Sequence, residues 1–304
     1  MLNYLLFNKP APVQFTYQVT VTAAQATTPK FTFASGAPTA QINWGDGSAY
    51  EAVTSAVELT HTYTVAGTYI VQLLMPNQEK WLTQIDISSD KLSKVITPIQ
   101  AFRNLTLFYA YSNTAWAQNI SGWVLPTSLV NFAVYHTSVS GDISGWVLPT
   151  PLKYFYVHYT SVSGDISGWV LPASLAYFNV SSTSVSGDIS GWVLPTSLER
   201  FVVYSTSVSG SPIFTSTVAL SNFQYQNCAL PQATVDLIVS RIYDRRISFT
   251  AAAPSANVGG TNAAPSGIYE HEGPPPVGGK NMIYTLVNDE NAEGFKKWTW
   301  TYTA

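Results

Sequence analysis

The chain has 304 residues, enough for two or three domains with their own cores. Only 10% of the residues are charged and the net charge is -3, so a basic surface for nucleic acid is not expected. No apolar run is long enough to span a bilayer, so membrane insertion is not expected either. A single cysteine, Cys228, excludes an internal disulfide framework and a cysteine-based metal cluster. Abundant Thr, Val, Tyr and Phe predict a mainly β fold.

Residues 12–77 alternate in the manner of strands and contain two motifs. The first, Trp44-Gly45-Asp46-Gly47, places Asp-Gly in a tight turn between strands. The second has the spacing H-x-Y-x-x-x-G-x-Y and begins at His61. Together the motifs resemble the PKD domain, an immunoglobulin-like β-sandwich common in surface proteins of bacteria, archaea and their viruses. The resemblance implies a spacer, adhesion or assembly module and no specific activity.

A repeat fills the middle of the chain. The decapeptide SGDISGWVLP begins at Ser140 and returns with a constant period at Ser163 and Ser186, and a weaker copy begins at Asn119. Between the copies lies the pattern L-x-x-F-x-V-x-x-T-x-V, and degenerate versions of it bring the total to seven turns. The turns begin at Leu82, Thr106, Leu129, Leu152, Leu175, Leu198 and Leu220. Repeats of this length predict a solenoid whose turns share one core.

The pattern resembles the leucine-rich repeat over residues 78–230, which implies inward Leu, Phe and Val on one strand per turn. The degenerate turn at Thr106 is interpreted with Tyr109 and Tyr111 inward and Phe108 and Ala110 outward. Ser-Gly-x-Ile implies a second strand, and the tryptophans are expected to stack on the other side (Trp123, Trp146, Trp169 and Trp192). The position that is Asn or Cys in leucine-rich repeats holds Thr137, Thr160, Thr183, Thr206 and finally Cys228, which is interpreted as structural.

Residues 231–304 depart from the repeat and are predicted to form a small α+β cap, because a solenoid needs an atypical unit over its last core face. Apolar spacing predicts helices at 234–246 and near 280–287, and residues 298–302 read as a closing strand. The stretch 259–276 is predicted to be a loop. This region resembles the tail of leucine-rich-repeat proteins of Bacteroidetes and their phages.

The outward side chains of the repeat strands vary while the frame stays constant, which favours a ligand-binding surface. Tyr, Asn, Ser and Gln are typical contact residues, although tyrosine is also simply a good strand residue on an exposed face. The binding residues predicted on this face, which the resemblance makes concave, are Tyr135, Tyr154, Tyr156, His158, Tyr177, Asn179, Arg200, Tyr204 and Gln224. The expected ligand is a host surface protein or a glycan.

Three repeated aspartates, Asp142, Asp165 and Asp188, are the residues most suggestive of chemistry. Strand spacing would put their carboxylates about 5 Å apart, close enough for calcium or for a glycosidase pair. Against this, Asp commonly binds its own backbone in such turns, and identical surroundings cannot separate an acid from a base. We expect no catalytic residue and no cofactor, and the aspartates stay weak metal candidates. His136 and His158 lie one position out of register with the repeat, so the histidines are not expected to converge.

These features predict a non-enzymatic phage virion protein: a capsid-decorating protein, a head fibre or a tail-tip adhesin. The N-terminus lacks the features of a secretory signal, and virion proteins leave the cell by lysis. Residues 1–11 are predicted to dock on other virion proteins as an added strand, in an oligomeric assembly on the virion surface. The apolar residues that suit this role are Leu2, Tyr4, Leu5, Leu6 and Phe7. The alternatives are a bacterial surface or secreted adhesin, located outside the cell, and a carbohydrate-active enzyme, which only the aspartates support.

Overall fold

A computed structural model describes residues 13–22, 24–88, 90–214, 219–244, 254–266, 279–288 and 299–302. The docking segment predicted at residues 1–11 lies outside the described residues. Where it is described, the chain is mainly β and contains a β-solenoid of about six turns. One continuous cluster of buried side chains runs from Phe15 near the N-terminus to Ile283 near the C-terminus.

Antiparallel strands form the N-terminal part. They are β1 (Thr16–Val21), β2 (Gln25–Thr27), β3 (Lys30–Phe33), β4 (Ala40–Asn43), β5 (Glu51–Val53), β6 (His61–Tyr63) and β7 (Gly67–Leu74). Helix α1 (Gln78–Trp81), β8 (Leu82–Asp86) and β9 (Leu92–Val95) follow. One sheet has the order β5-β4-β7-β1-β9, and β2 pairs with β6. Because β9 pairs with β1 and β3 with β8, hydrogen bonds join the N-terminal part to the first solenoid turn.

The later strands form the faces of the solenoid. A 3-10 helix (Ile99–Ala101) precedes β10 (Leu107–Tyr109), β11 (Asn131–Ala133), β12 (Ser140–Asp142), β13 (Tyr154–Tyr156), β14 (Ser161–Asp165), β15 (Tyr177–Asn179), β16 (Ser184–Asp188), β17 (Val193–Leu194), β18 (Arg200–Val202), β19 (Ser207–Ser209), β20 (Ile213–Phe214), β21 (Asn222–Gln224), β22 (Ser255–Asn257) and β23 (Thr299–Thr301). The first sheet has the order β23-β22-β21-β18-β15-β13-β11-β10-β8-β3 and is parallel except at β3. The second sheet, β12-β14-β16-β19, contains the second strand that was expected.

The solenoid differs from the sequence expectation in its turn count and in one register. It has about six turns rather than seven. In the first expected turn, β8 joins the first sheet but β9 turns into the N-terminal sheet. In the next turn the predicted register was wrong: Phe108 is buried and pairs with Phe132, whereas Tyr109 is half-buried on the outer side. Phenylalanine fills the same inward place there as in every later turn.

Phenylalanine rings form the centre of the core. Stacked rings 5.3–5.9 Å apart at their centroids join six turns, and they belong to Phe108, Phe132, Phe155, Phe178, Phe201 and Phe223. The tryptophans form the opposite wall, as expected, but each indole meets the phenylalanine ladder edge to face. Trp169, for example, lies 5.8 Å from Phe155 at an interplanar angle of 88°. Such edge contacts are favourable, since the positive ring edge meets the negative ring face.

The C-terminal region continues the first sheet while covering its end. Helix α2 (Gln232–Asp244) buries Val235, Ile238, Val239 and Ile242, and helix α3 (Gly279–Asn288) packs against it. Both helices and the closing strand β23 lie close to the predicted positions. A strand that was not predicted, β22, precedes the predicted loop at 259–276 and pairs in parallel with β21. Residues 259–266 of that loop contain no helix or strand, and residues 267–276 lie outside the described residues.

Candidate functional site

The nine predicted binding residues all lie on the outer face of the first sheet. In β13 the half-buried Tyr154 and Tyr156 flank the fully buried Phe155, as strand alternation requires. The others are likewise half-buried, apart from the exposed Arg200. Sequence reasoning missed further aromatic residues on this face, because it shifted one turn by a residue and overlooked the corners after the strands. They are Tyr109, Tyr111, His136 and Tyr159.

Aromatic rings from successive turns stack on one another across this face, which we call the tyrosine face. Tyr135 stacks on Tyr111 at 4.6 Å and on His158 at 4.5 Å, with interplanar angles of 5° and 10°. Beside this stack, Tyr154 and Tyr177 have centroids 4.9 Å apart. The parallel register of the strands produces these stacks, because equivalent side chains are one strand spacing apart.

Two large rings of the tyrosine face stand at corners with left-handed backbone. His136 and Tyr159 both have φ 52°, and their rings stack at 4.6 Å. The equivalent corners of other turns hold smaller residues, namely Ser112, Ser182, Ser205 and Asn227. A bulky side chain is uncommon in this conformation, and such backbone strain clusters at functional sites. Four of the six corners thus hold Ser or Asn, and two hold an aromatic ring.

Polar contacts fix the orientation of several rings. The hydroxyl groups of Tyr159 and Tyr204 are 2.8 Å apart, although the two residues are two turns apart. Ser182 occupies the corner of the turn between them, so the rings of Tyr159 and Tyr204 meet across a small side chain. The Tyr177 hydroxyl donates a hydrogen bond to Oε2 of Glu199 at 2.8 Å, and the Arg200 guanidinium lies 5.5 Å from the centroid of the Tyr177 ring. The face is thus held in place before any ligand binds.

His136 and His158 do meet, contrary to the expectation that no histidines converge. Their ring centroids are 5.6 Å apart, because His136 stands at a corner and His158 lies two residues after the end of the next strand, β13. Burial, together with the nearby His136, lowers the pKa of His158 to about 4, and its Nδ1 is buried without a hydrogen-bond partner. No group of three metal-ligating side chains occurs among the described residues. His158 is therefore a neutral aromatic element of the face at neutral pH.

The three candidate aspartates form turns, as the turn interpretation predicted. Oδ1 of Asp142 accepts a hydrogen bond from the backbone N–H of Ser144 at 2.8 Å, and Asp165 and Asp188 do the same two residues onward. The hydrogen bonds from Ser144 lower the pKa of the fully exposed Asp142. Asn119 makes the same turn in the weaker copy. Three carboxylates in one environment offer no separate acid and base.

The ladder of polar residues inside the solenoid is structural. Each threonine hydroxyl donates to the carbonyl three residues earlier, for example Thr160 to Val157 at 2.6 Å. Asn113 occupies the equivalent place in its turn and reaches the preceding turn, donating to Ile87 O and accepting from Leu92 N–H. At the other end, Cys228 is buried with Sγ 3.3 Å from Val203 O, and burial raises the pKa of its thiol. A buried thiol with a raised pKa is a poor nucleophile.

The two N-terminal motifs come together in one cluster. The rings of Trp44 and His61 stack at 4.5 Å, and His61 Nε2 lies 2.8 Å from Oδ2 of Asp46. The Tyr63 hydroxyl donates to Trp44 O at 3.0 Å. Slight burial acts to raise the pKa of Asp46. The hydrogen bonds from Ser48 and His61 together have the larger effect and lower this pKa to about 2. The motif residues thus hold the turn against its neighbouring strand.

Comparison with known proteins assigns no function to this chain, so the geometry of the site is the basis for the proposed function. No protein-family model, no curated protein and no solved structure matches this chain. Within the described ranges, no helix is long and apolar enough to cross a membrane. The resemblances to the PKD domain and the leucine-rich repeat therefore rest on the residue patterns of the sequence.

Proposed function

We propose that this chain is a non-enzymatic binding protein whose tyrosine face recognises a ligand on a host surface, a glycan or a protein. The observation that carries the proposal is the pair of aromatic rings, His136 and Tyr159, at left-handed corners where other turns have Ser or Asn. All these corners have a positive φ, so the fold imposes this backbone conformation on the chain whatever residue stands there. His136 and Tyr159 differ from the other corners in adding a large exposed ring to the tyrosine face. An exposed ring contributes little to the packing of the solenoid, so a contribution to binding is the proposed reason for it.

The chemistry of the tyrosine face suits binding. Rigid, ordered tyrosines provide large contact areas at low conformational cost, and hydroxyls and amides between them supply hydrogen bonds. Tyr177 and Tyr156 lie beside the polar Asn179 and the exposed Arg200. The aspartates are the feature that would favour a carbohydrate-active enzyme. Each of them accepts a backbone hydrogen bond in the same kind of turn.

We propose further that the N-terminal unit is a PKD-like sandwich and that the solenoid is of the leucine-rich-repeat type. The Trp44, His61 and Tyr63 cluster supports the first proposal, since it joins the two motif segments. Asn113 supports the second, because its side chain bridges two turns at the asparagine position of the repeat. Both kinds of domain serve in surface proteins as spacers and display scaffolds.

Among surface locations, the proposal is a phage virion, as a capsid-decorating protein, head fibre or tail-tip adhesin. The resemblance of the C-terminal region to leucine-rich-repeat proteins of Bacteroidetes and their phages supports it. Immunogold labelling of purified virions with an antibody against the chain tests it. We expect gold on intact particles. Gold confined to bacterial cell surfaces would replace the virion with the bacterial adhesin.

Binding by the tyrosine face is tested by changing Tyr154, Tyr156 and Tyr177 to Ser together. We expect retention on host cells and on an array of bacterial surface polysaccharides to fall at least about tenfold, since aromatic side chains dominate such interfaces. The matched control changes the exposed Tyr50 of the N-terminal part to Ser and should bind like the parent. Circular dichroism should show the same fold for all three proteins. Equal binding by the triple variant would disprove the proposal, and release of reducing ends from the polysaccharides would favour an enzyme.

A further inference from the structure

A row of exposed aliphatic side chains follows the segment that leads from the second sheet back to the first. We call it the valine stripe, and its members are Val124, Val147, Val170, Val193 and Ile213, with exposed fractions of 61, 83, 83, 55 and 40%. Val193 pairs directly with Ile213 across β17 and β20. The other valines occupy the same position of the repeat in successive turns. The stripe is therefore continuous along the solenoid.

The fold does not require an apolar residue at these positions. Trp146 and Leu148 are buried and Val147 between them points outward, so the backbone there alternates like a strand. Thr would fit the same backbone, and the chain uses exposed Thr close by, at Thr127 and Thr150. On the tyrosine face the outward residues change from turn to turn, whereas every member of the stripe is Val or Ile. Contiguous exposed apolar surface of several hundred Å² commonly marks an interaction site.

We propose that the valine stripe is the contact between two copies of this chain. Its side chains recur once per turn, at a spacing of about 4.8 Å. A second copy has the same spacing, so two stripes related by a two-fold axis match side chain for side chain along their whole length. A partner with another architecture lacks that match.

The charge distribution around the stripe fits the same occupant. None of the GWVLP segments contains a charged residue, and the nearest charges preceding them are Asp142, Asp165 and Asp188, five residues before a valine in each case. At one end of the stripe the Arg241 guanidinium donates hydrogen bonds to the carbonyl oxygens of Ser211 and Pro212, beside Ile213. Two copies can therefore meet along the four valines without burying a charge, which would be costly. The exposed aspartates stay at the rim, in solvent.

The size of the stripe sets the expected strength of association. At roughly 100 Å² for each exposed side chain, one stripe provides several hundred Å² of apolar surface. A standard interface buries about 800 Å² from each partner, so neighbouring exposed residues such as Thr150 and Thr196 must add the rest. This contact lies at the lower end of specific interfaces, and we expect a dimer with a micromolar Kd.

Sedimentation equilibrium of the full chain tests the proposal. The parent should show a concentration-dependent monomer–dimer equilibrium, and Val147→Ser with Val170→Ser should raise Kd at least about tenfold. The matched control makes the same change at two exposed valines of the N-terminal part, Val57→Ser with Val65→Ser, and should leave Kd unchanged. Because Val147 and Val170 are mostly exposed, the thermal midpoint should stay that of the parent.

A second variant keeps the test independent of small packing effects. Val170→Lys changes the middle residue of the five, which faces its own copy whether the two-fold axis runs along the stripe or across it. Two like charges then meet at the contact, and only monomer should remain. The Tyr154, Tyr156 and Tyr177 to Ser variant should dimerise like the parent, so this inference and the proposed binding function fail separately. A parent that stays monomeric at about 100 µM, or a Lys variant that dimerises normally, would overturn the inference.

Discussion

In the repeated Ser-Gly-Asp segment, glycine allows the backbone of one turn to approach the preceding turn closely. Gly164 has φ 118°, and a Cβ there would collide with Oδ1 of Asp142 and lie 2.9 Å from the backbone nitrogen of Ser144. The same relation joins Gly141 to Asn119 and Gly187 to Asp165. The aspartate turn of one repeat therefore lies directly against the glycine of the next.

Gly164→Ala should destabilise the protein by about 2 kcal/mol or more, from positive φ and from this collision combined. The matched control is Gly168→Ala in the same repeat, where a Cβ meets nothing within 4 Å and φ lies outside the left-handed range. Chemical unfolding of both variants gives the comparison. Equal stability of the two would show that the turns are not in the contact described here.

Asp165→Asn is expected to be nearly neutral. Asn119 already forms the same turn, its Oδ1 accepting a hydrogen bond from the backbone N–H of Ser121 at 2.9 Å. The carboxylate is fully exposed, so its charge adds little. The thermal midpoint should change by no more than a few degrees, with and without a chelator. A large loss that chelation of the parent reproduces would reveal a cation site at the aspartates.

Asp90 gives a pH-dependent prediction. Its carboxyl is buried where the N-terminal strands meet the first turn, accepts a hydrogen bond from Thr28 N–H and lies 3.5 Å from the Tyr17 hydroxyl. Burial raises the pKa of Asp90 to about 7. Since the folded pKa is above the unfolded value near 4, the stabilising contribution is complete below about pH 4 and is lost as the pH rises through about 7.

Asp90→Asn removes this titration and supplies the residue type found at the same position in the next turn, Asn113. Relative to the parent, the variant should gain about 2–4 kcal/mol of unfolding free energy between pH 4.5 and pH 8. Urea unfolding at the two pH values measures the difference, and Asp165→Asn is the control because that carboxylate is exposed. A difference that does not depend on pH would mean that Asp90 is ionised in the folded protein at both values.

At the scale of the strand, the stacked phenylalanine rings join each turn to its neighbours, so we expect the turns to share their stability. Phe155 is fully buried and contacts the rings of Phe132, Phe178 and two tryptophans. Phe155→Ala should cost about 3–5 kcal/mol by leaving a cavity. Because adjacent repeats share their interfaces, hydrogen exchange should also rise in β11 and β15. The outward Tyr154→Ala is the control, and exchange confined to β13 would contradict shared stability.

The strands also show what the sequence could and could not predict. Where the repeat is nearly verbatim, the strand, its inward Phe and its outward Tyr were all predictable from the period. In the degenerate turn, Tyr109 and Phe108 are both good strand residues, so local pattern did not fix the register. The signal that would have fixed it is Asn113, five residues after Phe108, just as Thr137 is five residues after Phe132.

The candidate site was only partly predictable for a related reason. Alternation along a strand identified the outward tyrosines, but residues beyond the strand ends do not alternate. His136 and Tyr159 reach the face because their backbone turns to positive φ, and Gly or Asn, the usual sequence markers of that conformation, is absent there. The contact between His136 and His158 likewise depends on this turn of the chain.

At the scale of the whole molecule, the solenoid should tolerate the loss of one complete turn. Deleting residues 163–185 removes one full period and joins Val162 to Ser186, which restores the local sequence TSVSGDIS found at both original junctions. Each turn contacts its neighbours through the same strand pairs, phenylalanine stack and aspartate–glycine contact, so the new neighbours fit as the old ones did. Stability in such arrays is approximately a sum over turns and their interfaces.

The shortened chain should therefore unfold in a single transition, with a slightly lower m-value and free energy of unfolding than the parent. The control deletes residues 163–182, which leaves three extra residues and moves the next strand out of register. A shift of register turns inward side chains outward, so this control should lose cooperative unfolding or fail to fold. Equal behaviour of the two deletions would show that the repeat period does not set the packing.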